Sequence, residues 1–159
     1  MVKRVKVSEA KTIYDMLNAL KLNGVDTQDK FKIIGACRVL KPLAKELEEA
    51  SSDAVEKLRP EGYEEKFQKA VAYERTMDAN RNAAEEDQKE LPITREEYDE
   101  IVALVVKFNN EAQEAVKKVA DTVKEVDIDL LDNDGFGKLL EANADLTTAN
   151  AVTLADFIC

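Results

Sequence analysis

Histidine and tryptophan are absent from this 159-residue chain, and breakers of regular structure are few, with five glycines and three prolines. Without histidine, the chain lacks the side chain that titrates near neutral pH and most often ligates transition metals. Its serines have no histidine to activate them, and no glycine-rich phosphate-binding loop is present. We therefore expect a protein that is not an enzyme and uses no cofactor.

Cysteines and long apolar runs are also scarce. Cys37 and Cys159 are far apart in sequence; Cys37 lies on an apolar helix face, whereas Cys159 is expected to be mobile. The longest aliphatic run, residues 101–106, is much shorter than the roughly 20 residues of a membrane helix. No apolar segment follows the charged start MVKRVKVSEA, so no secretory signal is predicted. These features predict a soluble cytoplasmic protein without a membrane partner, or one associated with a virion.

The charge is strongly negative overall, −10, and unevenly distributed. Residues 1–45 contain ten basic and four acidic side chains, whereas residues 121–159 contain two basic and nine acidic ones. An acidic protein is a poor general binder of nucleic acid, because attraction to phosphate needs positive surface. We expect the basic start to meet the acidic end within the fold or in a neighbouring subunit.

Two long segments carry apolar residues in alternating steps of three and four, the pattern of a coiled-coil-like seam. Thr94 and Glu97 form a capping box at the start of the second segment, residues 95–123. The first segment, residues 28–58, keeps the phase of its seam across Pro42, which favours one kinked helix over two helices. The predicted packing residues are Ile33, Cys37, Leu40, Ala44 and Leu47 in the first segment, and Tyr98, Ile101, Val105, Phe108, Ala112, Ala115 and Val119 in the second.

The two seams have nearly equal length, and small residues near the middle of each would allow close approach of the backbones. They predict a mainly α fold: a long-helix hairpin or bundle, parallel or antiparallel, in a single domain spanning residues 1–159. The charged residues 78–92 are predicted to form a mobile connection. The alternative is that part of one seam packs between chains and makes a homo-oligomer.

Both ends of the chain contain short extended patterns. Residues 125–130 alternate acidic and aliphatic side chains, and the basic, valine-rich start could pair with them as a small two-stranded ribbon. Ser8 and Thr147 are predicted helix caps. Beyond the ribbon, Asp132, Asp134 and Glu141 match three ligand positions of an EF-hand loop, but Leu130 occupies its anchoring first position. This weak calcium candidate is weighed against a simple polar turn.

The stretch RVLKPLAKELEEA (residues 38–50), followed much later by Val-Asp-Ile at 126–128, resembles small uncharacterised proteins encoded among the structural and tail genes of tailed bacteriophages and prophages. The resemblance covers about half of the chain, and its motifs are structural. It implies a non-enzymatic virion component or assembly factor whose partners are phage structural proteins. The alternative is a host regulatory or adaptor module that binds another protein through a helical face.

Overall fold

The computed structural model describes residues 1–159, which form six α-helices and one two-stranded antiparallel sheet. The predicted mainly α class with a small ribbon is confirmed. In chain order the elements are β1 (Val2–Lys6), α1 (Val7–Ala19), α2 (Thr27–Leu58), α3 (Tyr63–Arg81), α4 (Arg95–Ala120), β2 (Val123–Asp127), α5 (Asn133–Ala142) and α6 (Thr148–Ile158), with a 3₁₀ turn at Glu85–Asp87.

The chain divides into two compact units. The first contains Met1–Ser51 and Val116–Cys159, and the second contains Ser52–Ala115. The boundaries fall inside α2 and α4, each of which contributes residues to both units. Because no loop or change in composition marks these points, the sequence offered no sign of the division.

The ribbon pairs β1 with β2 in the register Val2↔Asp127 to Lys6↔Val123. Arg4 stands opposite Glu125, so opposite charges do meet across the two strands. The predicted strand at 125–130 was placed too late: β2 is Val123–Asp127, and beyond it the Ile128 N–H still donates to the Met1 carbonyl at 3.0 Å before the chain turns into the core. The Leu131 N–H donates to the Ile158 carbonyl at 2.7 Å, and Leu131 is only 5% exposed.

The core of the first unit lies against this ribbon. It combines side chains from both ends of the chain with those of α2. Its fully buried large side chains are Leu40, Leu139, Leu154 and Ile158, together with Val7. Burying each such aliphatic side chain contributes about 1.5–3 kcal/mol, so α5 and α6 are integral to this unit.

Helix α2 continues through Pro42 without a break. Proline removes one helical N–H, the donor that would reach the Arg38 carbonyl. Both Pro42 and Arg38 are exposed, so water can satisfy that carbonyl. The alternative of two separate helices is therefore wrong, and the unbroken phase of the seam was the correct guide.

The helix starts are partly as predicted. At α4 the Glu97 N–H donates to Thr94 Oγ1 at 3.1 Å, and the Thr94 N–H donates to Glu97 Oε2 at 2.8 Å. Thr147 caps α6 in the predicted way. Ser8 does not cap α1, because that helix already begins at Val7 and the Ser8 hydroxyl donates to the Ala120 carbonyl at 3.0 Å.

Candidate protein-docking groove

Helices α3 and α4 pack through aromatic side chains in the second unit. Tyr73 stacks on Tyr98 with ring centroids 4.5 Å apart, and Tyr63 meets Phe108 at 5.1 Å. Because the start of α3 meets the later part of α4, the two helices are antiparallel. The seams predicted from the sequence belong to α2 and α4, so α3 was not identified as the helix that contacts these rings.

None of the twelve predicted packing residues is exposed. Ile33, Leu40, Ala44, Ile101 and Phe108 are buried, and the other seven are half-buried: Cys37, Leu47, Tyr98, Val105, Ala112, Ala115 and Val119. Ile33 and Leu40 belong to the core of the first unit, and Cys37 packs against it. The inner stripe of each long helix is thus used in packing, which leaves a different face of α4 open.

That open face borders an apolar groove of about 200 Å³, here called the α3–α4 groove. Its walls are Phe67, Ala70, Val71 and Glu74 from α3, and Ile101, Val102, Val105 and Val106 from α4. Phe67 and Val102 are each 38% exposed and Val106 is 51% exposed. Three large apolar side chains therefore stand beside one another in solvent.

A second pocket of about 230 Å³ adjoins the α3–α4 groove and shares Glu74 with it. Met77, 38% exposed, lines this pocket together with Tyr73 and Tyr98. The rest of its lining is charged: Glu74, Asp78, Arg81 and Arg95. Phe67 and Met77 are ten residues apart on one helix, so the two pockets together extend along about 15 Å of α3. The Tyr98 hydroxyl donates to the Glu74 carboxylate, and this hydrogen bond raises the pKa of Tyr98.

Sequence reasoning missed Phe67, Val102 and Val106 as functional residues. The signal was present in IVALVV, residues 101–106, which is wider than one seam can bury. A single helix stripe uses positions 101 and 105 and leaves 102 and 106 on the next face. Reading this run only as too short for a membrane helix discarded that information.

The calcium candidates are not brought together. Asp132 caps α5 by accepting the Gly135 N–H at 2.8 Å, which lowers the pKa of Asp132. Asp134 pairs with Lys138 at 2.8 Å, and Glu141 is exposed. Nowhere in the chain do three cysteine or carboxylate side chains converge as metal ligands. The Asp132–Gly135 segment is therefore a capped helix start.

Neither cysteine forms a disulfide, and both are half-buried. Burial raises the pKa of the Cys37 and Cys159 thiols, which keeps them protonated and weakly reactive. Cys159 packs against the core of the first unit, and its N–H donates to the Ala155 carbonyl at 3.0 Å. Its side chain is therefore an extension of the core.

The first unit contains a larger cleft, about 420 Å³, beside the ribbon. Two of its polar side chains bond within the fold: Lys3 Nζ donates to the Asp156 carbonyl at 2.7 Å, and the Ser8 hydroxyl donates to the Ala120 carbonyl at 3.0 Å. Lys3 also lies 5.8 Å from the centre of the Phe157 ring. Its walls are more polar than those of the α3–α4 groove, with Arg4, Glu9 and Asp156 among them.

Comparison of the chain with protein-family models, with curated proteins and with solved structures gives no match in any of the three. None of the helices is long and apolar enough to span a membrane. The functional proposal below is based on the exposed apolar groove between α3 and α4.

Proposed function

We propose that this chain is a non-enzymatic protein-interaction protein that binds a partner through the α3–α4 groove. The observation that carries the proposal is the side-by-side exposure of Phe67, Val102 and Val106 along a groove with apolar walls. Apolar side chains grouped in this way are typical of recognition surfaces, whereas scattered ones are ordinary. Two antiparallel helices with an open groove also suit helix-in-groove binding.

The biological setting that we propose is a phage or prophage, with the chain acting as a virion component or assembly factor in the cytoplasm. Its support is the resemblance carried by residues 38–50 and 126–128. A host regulatory or adaptor module would use the same groove, so the identity of the partner separates the two.

The test places a photo-crosslinking amino acid at Val106 and expresses the protein in the cell that encodes it. Val152, 55% exposed in the first unit, is the matched control position because it is also a solvent-facing helical valine. We expect a discrete adduct from position 106 that is absent from position 152. A phage structural protein in that adduct supports the phage role, and a host enzyme or transcription factor supports the adaptor role.

Two outcomes would contradict the proposal. Equal labelling from positions 106 and 152 would mean that the groove has no selective partner. Absence of any adduct from position 106 in cells that produce the assembled phage would also mean that the groove has no selective partner. An adduct with a second copy of the chain would replace the partner with a homo-oligomer.

A further inference from the structure

We infer that the occupant of the α3–α4 groove is a basic amphipathic helical segment of the partner protein. This inference rests on the proposed function and names the chemistry of its ligand. It starts from shape: the two adjoining pockets extend along α3 from Phe67 to Met77, about 15 Å or nearly three helical turns. Apolar residues of a bound helix at positions i, i+3 or i+4, i+7, and i+10 or i+11 would match that length.

The charge of the second unit decides which kind of helix fits. Residues 52–115 contain nine basic and seventeen acidic side chains, net −8, whereas the first unit has fourteen and sixteen, net −2. The negative charge is therefore concentrated in the unit that contains the groove. Such a field attracts a basic segment and repels an acidic one.

Charged side chains of both signs lie along the two pockets. Arg81 and Arg95 line the second pocket, and each pairs with an acidic side chain of its own helix. Glu74 lines both pockets, and accepting one hydrogen bond from Tyr98 leaves lone pairs available to a lysine or arginine. Glu64 lies on the same side of α3 as Phe67, about one turn away, and accepts a hydrogen bond from Gln68 Nε2 at 3.0 Å. Asp99, by contrast, is already engaged by Arg95, whose Nε lies 3.0 Å from its carboxylate.

The same charges argue against a second copy as the occupant. Two such units would bring net −8 against net −8, and like charges juxtaposed across an interface disfavour binding. The apolar contact offered by a few exposed side chains is also small beside the roughly 800 Å² per partner of a stable interface. A short basic helix buries a smaller interface area, and the negative charge of the second unit attracts it.

The experiment uses the full chain and two designed probes, each about 14 residues long. One probe is an amphipathic helix with leucines on one face and lysines on the other, and its twin carries glutamates in place of the lysines. Fluorescence anisotropy measures both at low and high salt. We expect the lysine probe to bind at least tenfold more tightly than its twin, and its binding to weaken as salt rises.

Three variants separate groove binding from general attraction to an acidic protein. Val106→Gln removes apolar contact without adding charge, and should lower the affinity for the lysine probe by about fivefold or more. Glu74→Gln should reduce the salt dependence of the affinity for the lysine probe. Val152→Gln, the matched control in the first unit, should leave binding unchanged. Equal affinity for the two probes, or unchanged binding to Val106→Gln, would overturn the inference.

The outcomes also separate this inference from the proposed function. If the lysine probe fails but a photo-crosslinker at Val106 still captures a selective partner, the function stands and the basic helix is wrong. If both fail, both are wrong. Sedimentation equilibrium of the chain alone provides the remaining check, because a dimer abolished by Val106→Gln would identify a second copy as the occupant.

Discussion

Gly135 gives the sharpest test of the packing in the first unit. A β-carbon at this position would lie 2.9 Å from Cγ of Asp29 and closer still to its carboxylate oxygen. Ordinary van der Waals contact begins at 3.4 Å, so Gly135→Ala forces the Asp29 side chain to move. That side chain has little freedom, because Asp29 is 8% exposed and its Oδ1 lies 3.0 Å from Lys32 Nζ.

Gly137 is the matched control, in the same helix two residues later. A β-carbon there has no neighbour within 4 Å, so Gly137→Ala should stabilise the helix by about 0.5–1 kcal/mol. Gly135→Ala gains part of the same helical preference but suffers overpacking, which typically costs about 1–3 kcal/mol. We expect the two variants to differ in free energy of unfolding by about 2 kcal/mol, with opposite signs relative to the parent.

Urea unfolding followed by far-UV circular dichroism measures this difference. The double variant Asp29→Ala/Gly135→Ala identifies the cause. Asp29→Ala alone removes a partner of Lys32, but in its background the new β-carbon has space. The cycle should therefore show a coupling of about 1–3 kcal/mol. A coupling below about 0.5 kcal/mol, or equal effects of the two glycine substitutions, would refute the proposed close contact.

Two further predictions concern the same unit. The Asn143 side chain is 5% exposed and makes three hydrogen bonds of 2.8 Å, two to the main chain of Lys21 and one to the Leu139 carbonyl. Asn143→Ala should lower the free energy of unfolding by about 2–4 kcal/mol and speed hydrogen exchange at the Lys21 amide, whereas exposed Asn109→Ala should change stability by less than about 1 kcal/mol. The Gly135 N–H lowers the pKa of Asp132 in the folded state below its ordinary value of 3.8. The ionised Asp132 therefore stabilises the fold fully above pH 3.8, and this stabilisation is lost as the pH falls through the folded-state pKa. Acid titration of Asp132→Asn should accordingly show a shallower loss of stability below pH 3.8, and an unchanged profile would contradict this role.

Local features with a strict stereochemical reason were predictable from the sequence. The Thr94–Glu97 capping box needs only residues three apart, and alternation near residue 126 identifies one buried face of a strand. The pairing of the two chain ends followed from their opposite charges. Each of these inferences depends on a few neighbouring residues or on a simple complementarity.

The α3–α4 groove was harder to predict because it depends on which helix packs beside α4. The two seams matched in length and period, so α2 was the natural partner of α4 from periodicity alone. Phe67 and Val102 are brought into one groove only because α3 packs antiparallel to α4. The Tyr63–Phe108 and Tyr73–Tyr98 contacts align the two helices in this way. Long-range pairing of this kind is not encoded in local pattern.

The position of β2 in the chain sets the order in which this protein can assemble during synthesis. During synthesis β1 is made well before its pairing strand, Val123–Asp127, which leaves the ribosome only after all of Ser52–Ala115 has been made. The second unit is continuous in sequence and can fold before residues 116–159, which the first unit requires, have been synthesised. Closing the long loop between β1 and β2 costs chain entropy before the stabilising contacts between them can form. Completion of the first unit should therefore be the slow step of folding.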